Sequence, residues 1–177
     1  MRTILFGLVG LAAAGVIAGC TTEPMPNNAP HPKASEEAKA KYLLASEPTG
    51  AKGVKEMKQH AKDGDEVVVV GRIGGSLKPF TGRAAFTIVD VSFTPCSERE
   101  GDNCPTPWDY CCDPPDELAK GTVLIKLVDS AGKTLPEDAK ELLSVKELQT
   151  VVIKGHTRKG EDNSVSVVAS GIFIKNK

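Results

Sequence analysis

The sequence predicts an all-β domain, a five-stranded barrel with small helices. Three observations carry this reading. Five runs rich in Val, Ile and Phe lie between residues 67 and 175, each bounded by Gly, Pro, Asp or Asn, as strands are. One amphipathic helix is written between the third run and the fourth. Hydrophobic residues make up 40% of the 177 and charged residues 25%, the composition of an ordinary globular domain. The 22 Lys+Arg against 23 Asp+Glu leave a net charge of −1, which excludes a strongly basic nucleic-acid binder and an acidic-tail protein.

In chain order, residues 1–19 read as a signal peptide. Arg2 supplies the positive start, and Ile4 to Ile17 is an uncharged apolar run too short to span a membrane. Residues 20–34 hold Pro24, Pro26, Pro30 and Pro32 and read as an extended tether that packs no core. Residues 35–64 read as a helical extension. Ser35 caps a first helix that runs to about Ala45. A second helix, Ala51 to Lys62, buries Val54, Met57 and Ala61 as a stripe, with Gly64 at its C-terminal cap. Residues 65–177 form the barrel domain. Its strands are Val67–Ile73, Ala84–Phe93, Thr122–Asp129, Gln149–His156 and Ser164–Lys175. The helix after the third strand covers about Pro136 to Val145 and buries Ala139, Leu142 and Leu143.

Two resemblances follow from these residues. Ile17-Ala18-Gly19-Cys20 resembles the lipobox of bacterial lipoproteins, which implies cleavage before Cys20, acyl chains such as palmitate on that residue, and stable membrane anchoring. Thr21 rather than Asp after the cysteine implies the outer membrane, on its periplasmic side, in a cell with two membranes. The order β-β-β-α-β-β, with Val-Val-Gly-Arg-Ile at 69–73, Ala-Phe-Thr-Ile-Val-Asp at 85–90 and Val-Val-Ile-Lys-Gly at 151–155, resembles the OB-fold, a five-stranded Greek-key barrel. The run Gly101 to Cys112, with Cys-Pro-Thr-Pro-Trp-Asp-Tyr-Cys-Cys at its end, is similar to a group of exported bacterial OB-fold lipoproteins. That resemblance implies a fold and an address, and no particular ligand. The OB-fold implies a binding face at its first and last loops, here Lys78, Phe80 and Arg83 in one and Arg158 and Lys159 in the other.

Residues 95–120 interrupt the barrel between its second and third strands. They hold Cys96, Cys104, Cys111 and Cys112, five of the twelve prolines and the only tryptophan. From 95 to 117 there are seven acids against Arg99 alone. A loop of this length in a compact domain is functional or stapled. The cysteines admit two readings. Exported proteins keep disulfides, and pairings that join Cys96 and Cys104 crosswise to Cys111 and Cys112 avoid the strained bridge between neighbours. Alternatively, four thiolates close a tetrahedral zinc shell, although C-x7-C-x6-C-C is not the spacing of a zinc ribbon. Redox catalysis finds no C-x-x-C at a helix start. Trp108 and Tyr110 are expected to anchor the insertion on the barrel, or to present a surface to a partner.

No nucleophile–base pair or H-E-x-x-H pattern is present, and His31, His60 and His156 are scattered, so an enzyme is not expected. Nucleic-acid binding needs a basic groove and stacking aromatics, and the acidic insertion opposes it. Phe86 and Phe93 lie at opposite parity on the second strand, so one of them is expected in the core. The sequence therefore points to a non-enzymatic, lipid-anchored binding or scaffold protein of the cell envelope, facing a protein, a glycan or a cation. Its alternative is a zinc-type metal-binding protein.

Overall fold

The computed structural model describes residues 36–101 and 103–175. The signal segment, Cys20, the tether, the Ser35 cap, His31 and Asp102 lie outside the described residues. Helix α1 (Glu36–Tyr42), strand β1 (Lys52–Gly53) and helix α2 (Val54–His60) lead into β2 (Glu66–Ile73). Then come β3 (Ala85–Val89), helix α3 (Pro115–Gly121), β4 (Thr122–Lys126), helix α4 (Ala139–Leu143), β5 (Thr150–Lys159) and β6 (Val165–Ile174).

Strands β2 to β6 close on themselves. Neighbours run β2-β3-β4-β6-β5, and β5 pairs back onto β2. All these pairs are antiparallel except β4 with β6. Closure gives β2 partners on both edges: Val69 faces Ile153 of β5, and Arg72 faces Val89 of β3. This is the expected OB-fold-like barrel. Alternation along the strands places Val69, Ile73, Phe86, Ile88, Val123, Ile125, Val151, Ile153, Val167 and Ile172 inside, all at most 2% exposed. Residue 71 has to be glycine because a Cβ there would lie 2.8 Å from the Val89 carbonyl oxygen, where β3 crosses close.

Helix α4 contributes Ala139, Leu142 and Leu143 to the same core. The Asp138 side chain caps it by accepting from the Lys140 amide at 2.7 Å, and Ser144 ends it in the left-handed region. The expected start at Pro136 is therefore two to three residues early, because Asp138 holds the cap. Helix α2 also starts later than the sequence suggests, because Lys52 and Gly53 pair in parallel with Val69 and Val70 as β1. It ends with a cap at Ala61 and not at Gly64. Gly64 instead turns the chain into β2 at φ 82°, its amide donating to the Thr157 carbonyl. Tyr42 of α1 is buried and its hydroxyl donates to the Val128 carbonyl at 2.9 Å. Among the described residues no helix is long and apolar enough to cross a membrane.

Candidate metal centre

The insertion leaves the barrel through Asp90, which is 6% exposed. Its carboxylate accepts from the amides of Lys55 and Ser92, both at 2.9 Å, and so ties the end of β3 to the start of α2. Burial pushes the Asp90 pKa up, but those amide donors outweigh it and hold the group below the usual carboxylate range. A second, smaller core follows. Val89, Phe93 and Tyr110 pack together with Leu118 against them. Phe93 meets Tyr110 edge-on at 6.3 Å, and the Lys55 ammonium lies 4.1 Å from the Phe93 ring centre.

Tyr110 is fully buried and adopts φ 59°, a conformation that its side-chain anchorage must hold against steric cost. The insertion docks on the Gly74-Gly75 corner after β2. The Gly75 amide donates to the Trp108 carbonyl at 2.8 Å, and a Cβ on Gly74 would stand 2.6 Å from that same oxygen. Tyr110 is fully buried and so presents no surface to a partner, which corrects that expectation, while Trp108 is half-buried and held by its backbone and by its indole N–H, which donates to the Leu77 carbonyl at 3.3 Å.

Around this anchor three thiols and one carboxylate converge. The Sγ atoms of Cys96, Cys104 and Cys111 and a carboxylate oxygen of Asp109 all lie within 4.8 Å of one another. Cys96 is buried at the start of a single 3-10 turn (Cys96–Glu98), and its amide donates to the Pro107 carbonyl at 3.2 Å. Asp109 accepts from the Thr106 hydroxyl at 2.8 Å and from the Cys111 amide at 3.0 Å, so its carboxylate is fixed before any ligand arrives. Burial raises the Asp109 pKa, and the Cys111 and Thr106 donors more than offset this, leaving it below the usual range. The Cys111 thiol is pushed far above the ordinary cysteine value, first by its hydrogen bond to Asp109 and then by Cys104. Several acidic groups in one small space cannot all carry charge unless a cation joins them.

The disulfide expectation is corrected. The sulfurs are not at bonding distance: Cys104 and Cys111 stand 4.0 Å apart, about twice the roughly 2.05 Å of an S–S bond. That separation is close to the edge of a tetrahedron with 2.3 Å metal–sulfur arms, about 3.8 Å. The expected four-cysteine shell changes by one member. Cys112 lies outside the group and is exposed, and Asp109 takes the fourth place. The signal for Asp109 was its place two residues before Cys111. The turn that lets its side chain accept the Cys111 amide could not be read without the positive φ of Tyr110.

The other candidate residues are dispersed. Lys78 is exposed, Phe80 packs on the main core 6.1 Å from Phe86, and Arg83 donates to the Thr134 carbonyl at 2.7 Å. Arg158 and Lys159 are exposed at the end of β5, where the Lys159 amide donates to Asp63. Phe86 and Phe93 are both buried, in different cores, so neither offers a stacking face to a base. His60 and His156 are exposed on separate elements.

No family model and no curated protein matches the chain. Among solved structures it is similar to an OBody bound to hen egg-white lysozyme, AM1L10, at 18% identity and TM-score 0.42 over 76% of this chain and 99% of that one. A second, AM3L15, also bound to hen egg-white lysozyme, matches at 20% identity and TM-score 0.41 over 75% and 99%.

Proposed function

We propose that the protein is a non-enzymatic, lipid-anchored binding module of the cell envelope whose insertion is shaped by a zinc-type ion. Cys96, Cys104, Asp109 and Cys111 hold the ion. The observation that supports this most is their convergence within 4.8 Å on a loop that otherwise has only a small core of its own. Three thiolates and one carboxylate suit zinc and disfavour calcium or magnesium, which take oxygen shells. A closed four-ligand shell leaves no open position for a substrate, so the ion is structural and the module binds rather than transforms. The membrane address comes from Cys20. Nucleic acid is disfavoured by the acidic insertion and by the burial of both phenylalanines.

The test is the metal content of the full chain, purified in detergent without chelator. Native mass spectrometry should show one ion of about 65 Da mass per chain in wild type and none in Cys104→Ser, with Cys112→Ser still loaded. A metal-free wild-type chain would overturn the reading. Separately, Cys20→Ala should move the protein from the membrane to the soluble fraction. Retention at the membrane would mean another anchor.

A further inference from the structure

Trp108, the single tryptophan of the chain, fronts a groove of about 1120 Å³ between the insertion and the segment that enters β5. Val70, Val91 and Pro107 supply apolar surface to it, and Lys146, Gln149 and Thr150 supply polar groups. Among the described residues, both large hydrophobic residues that stand exposed adjoin this place: Val91, 44% exposed, lines the groove, and Leu77, 62% exposed, offers the carbonyl that holds the indole. The platform is fixed from three sides. The Trp108 carbonyl is held by Gly75, its neighbour Pro107 by the Cys96 amide, and its neighbour Asp109 belongs to the thiol–carboxylate cluster. The facing wall is fixed too. Leu148 adopts φ 66° with its amide on the Ile73 carbonyl, and the Gln149 side-chain oxygen accepts from the Lys146 amide, so its NH₂ keeps its donor capacity.

The groove's own charges decide the sign of the ligand, because none of the described acids of the insertion lines it. Glu147 is held by Lys140 at 2.8 and 3.0 Å, and Lys175 is held by Glu47 at 2.8 Å. Lys146 is exposed and makes no ion pair among the described residues. A peptide strand cannot add here, because Val70 lies on β2, which is already paired with β1, β3 and β5. Single-stranded nucleic acid would need a row of aromatics and cations, where the groove has one of each free.

We infer that this groove binds an oligosaccharide that carries a carboxylate. The indole takes the apolar face of one sugar ring, Gln149 and Thr150 take ring hydroxyls, and Lys146 takes the carboxylate. The inference rests on the binding-module reading above, and it makes the cluster the support that keeps Trp108 in place. The site differs from the loop residues Lys78, Arg83, Arg158 and Lys159 that an OB-fold resemblance would nominate.

The test is titration of the full, metal-retaining chain in detergent micelles with tetragalacturonate, followed by calorimetry and by the emission of Trp108. The result expected is a saturable heat and a saturable shift in tryptophan emission at millimolar probe or below. Trp108→Ala should weaken binding at least tenfold by calorimetry. Lys146→Ala, a change at an exposed residue, should weaken it several-fold and flatten its salt dependence. Both variants should keep the metal, and Lys146→Ala should also keep the wild-type melting temperature. No heat and no emission change, binding unaltered in Trp108→Ala, or equal binding of neutral cellotetraose would each overturn the inference. So would a proline-rich peptide that occupies the Trp108 groove where tetragalacturonate does not. A metal-loaded, membrane-bound chain that ignores the probe removes this groove alone. A metal-free chain removes the reading beneath it.

Discussion

In the barrel, Ile153 sits in a ladder with Val69 on one side and Ile172 on the other, and its side chain is fully buried with those of two further strands. In the insertion, Tyr110 is buried just as completely, yet among the described residues its core cluster is only Val89 and Phe93, with Leu118 against them. The barrel spreads its stability over many equivalent contacts, and any one of them can be weakened without losing the shape. The insertion concentrates its order in a few side chains: the Asp90 carboxylate, Tyr110, the Arg99–Asp113 pair at 2.6 Å and the thiol–carboxylate cluster. A periodic fold is robust because its information repeats. An aperiodic loop is defined only by its individual anchors, and so it can be shaped or unshaped by one ion.

The largest effect should come from the barrel. Phe86→Ala removes a fully buried ring from the main core and should cost about 3–5 kcal/mol in urea unfolding, with metal content unchanged in the folded fraction. A loss under 1 kcal/mol would mean that Phe86 is not the core residue described here. Next comes Cys104→Ser. It should abolish metal binding and lower the melting temperature by several degrees, each kcal/mol corresponding to about 2–4 °C in a chain of this size. An unchanged melting temperature would remove the structural role of the cluster. A smaller loss is expected for Gly75→Ala, which forces φ 83° on a residue with a Cβ and brings that atom to 2.7 Å from the Thr122 hydroxyl. The left-handed conformation alone costs roughly 1–2 kcal/mol. The same variant should loosen the Trp108 contact, visible as a change in its emission. The smallest effect is acid dependence at the junction of the two regions. Asp90 has a folded pKa below the unfolded value of about 3.9, so its contribution is complete above that pH and is lost as pH falls through the folded pKa. Asp90→Asn should flatten the acid limb of a stability–pH curve below about pH 4. An identical limb in the variant would place that sensitivity elsewhere.

The same contrast explains what the sequence made legible. All five barrel strands are found within a few residues of where the Val, Ile and Phe runs place them, because alternation against one core leaves its mark on every second residue. The ends are less legible. Lys52-Gly53 pairs as a strand inside what reads as a helix, since the pairing partner Val69-Val70 is distant in sequence. Helix α3 was missed because seven residues beginning at Pro115 are too few to show a period. The cluster was half legible. The cysteine count marked the place, but the exchange of Cys112 for Asp109 depends on the left-handed turn at Tyr110, a residue type that gives no warning of positive φ. The groove beside Trp108 left no pattern at all, because it joins residues 70, 91, 108 and 149 from four separate segments.

On the proposal above, the barrel stands on its own packing while the insertion depends on an ion held by the thiol–carboxylate cluster. Amide hydrogen exchange of the full chain, before and after treatment with a strong chelator, tests this directly. Residues 95–113 should lose most of their protection when the ion is removed, while the amides of β2, β3, β5 and β6 exchange as before. Equal protection of the insertion with and without chelator, or a barrel that opens together with it, would mean that no ion sets the insertion apart from the barrel.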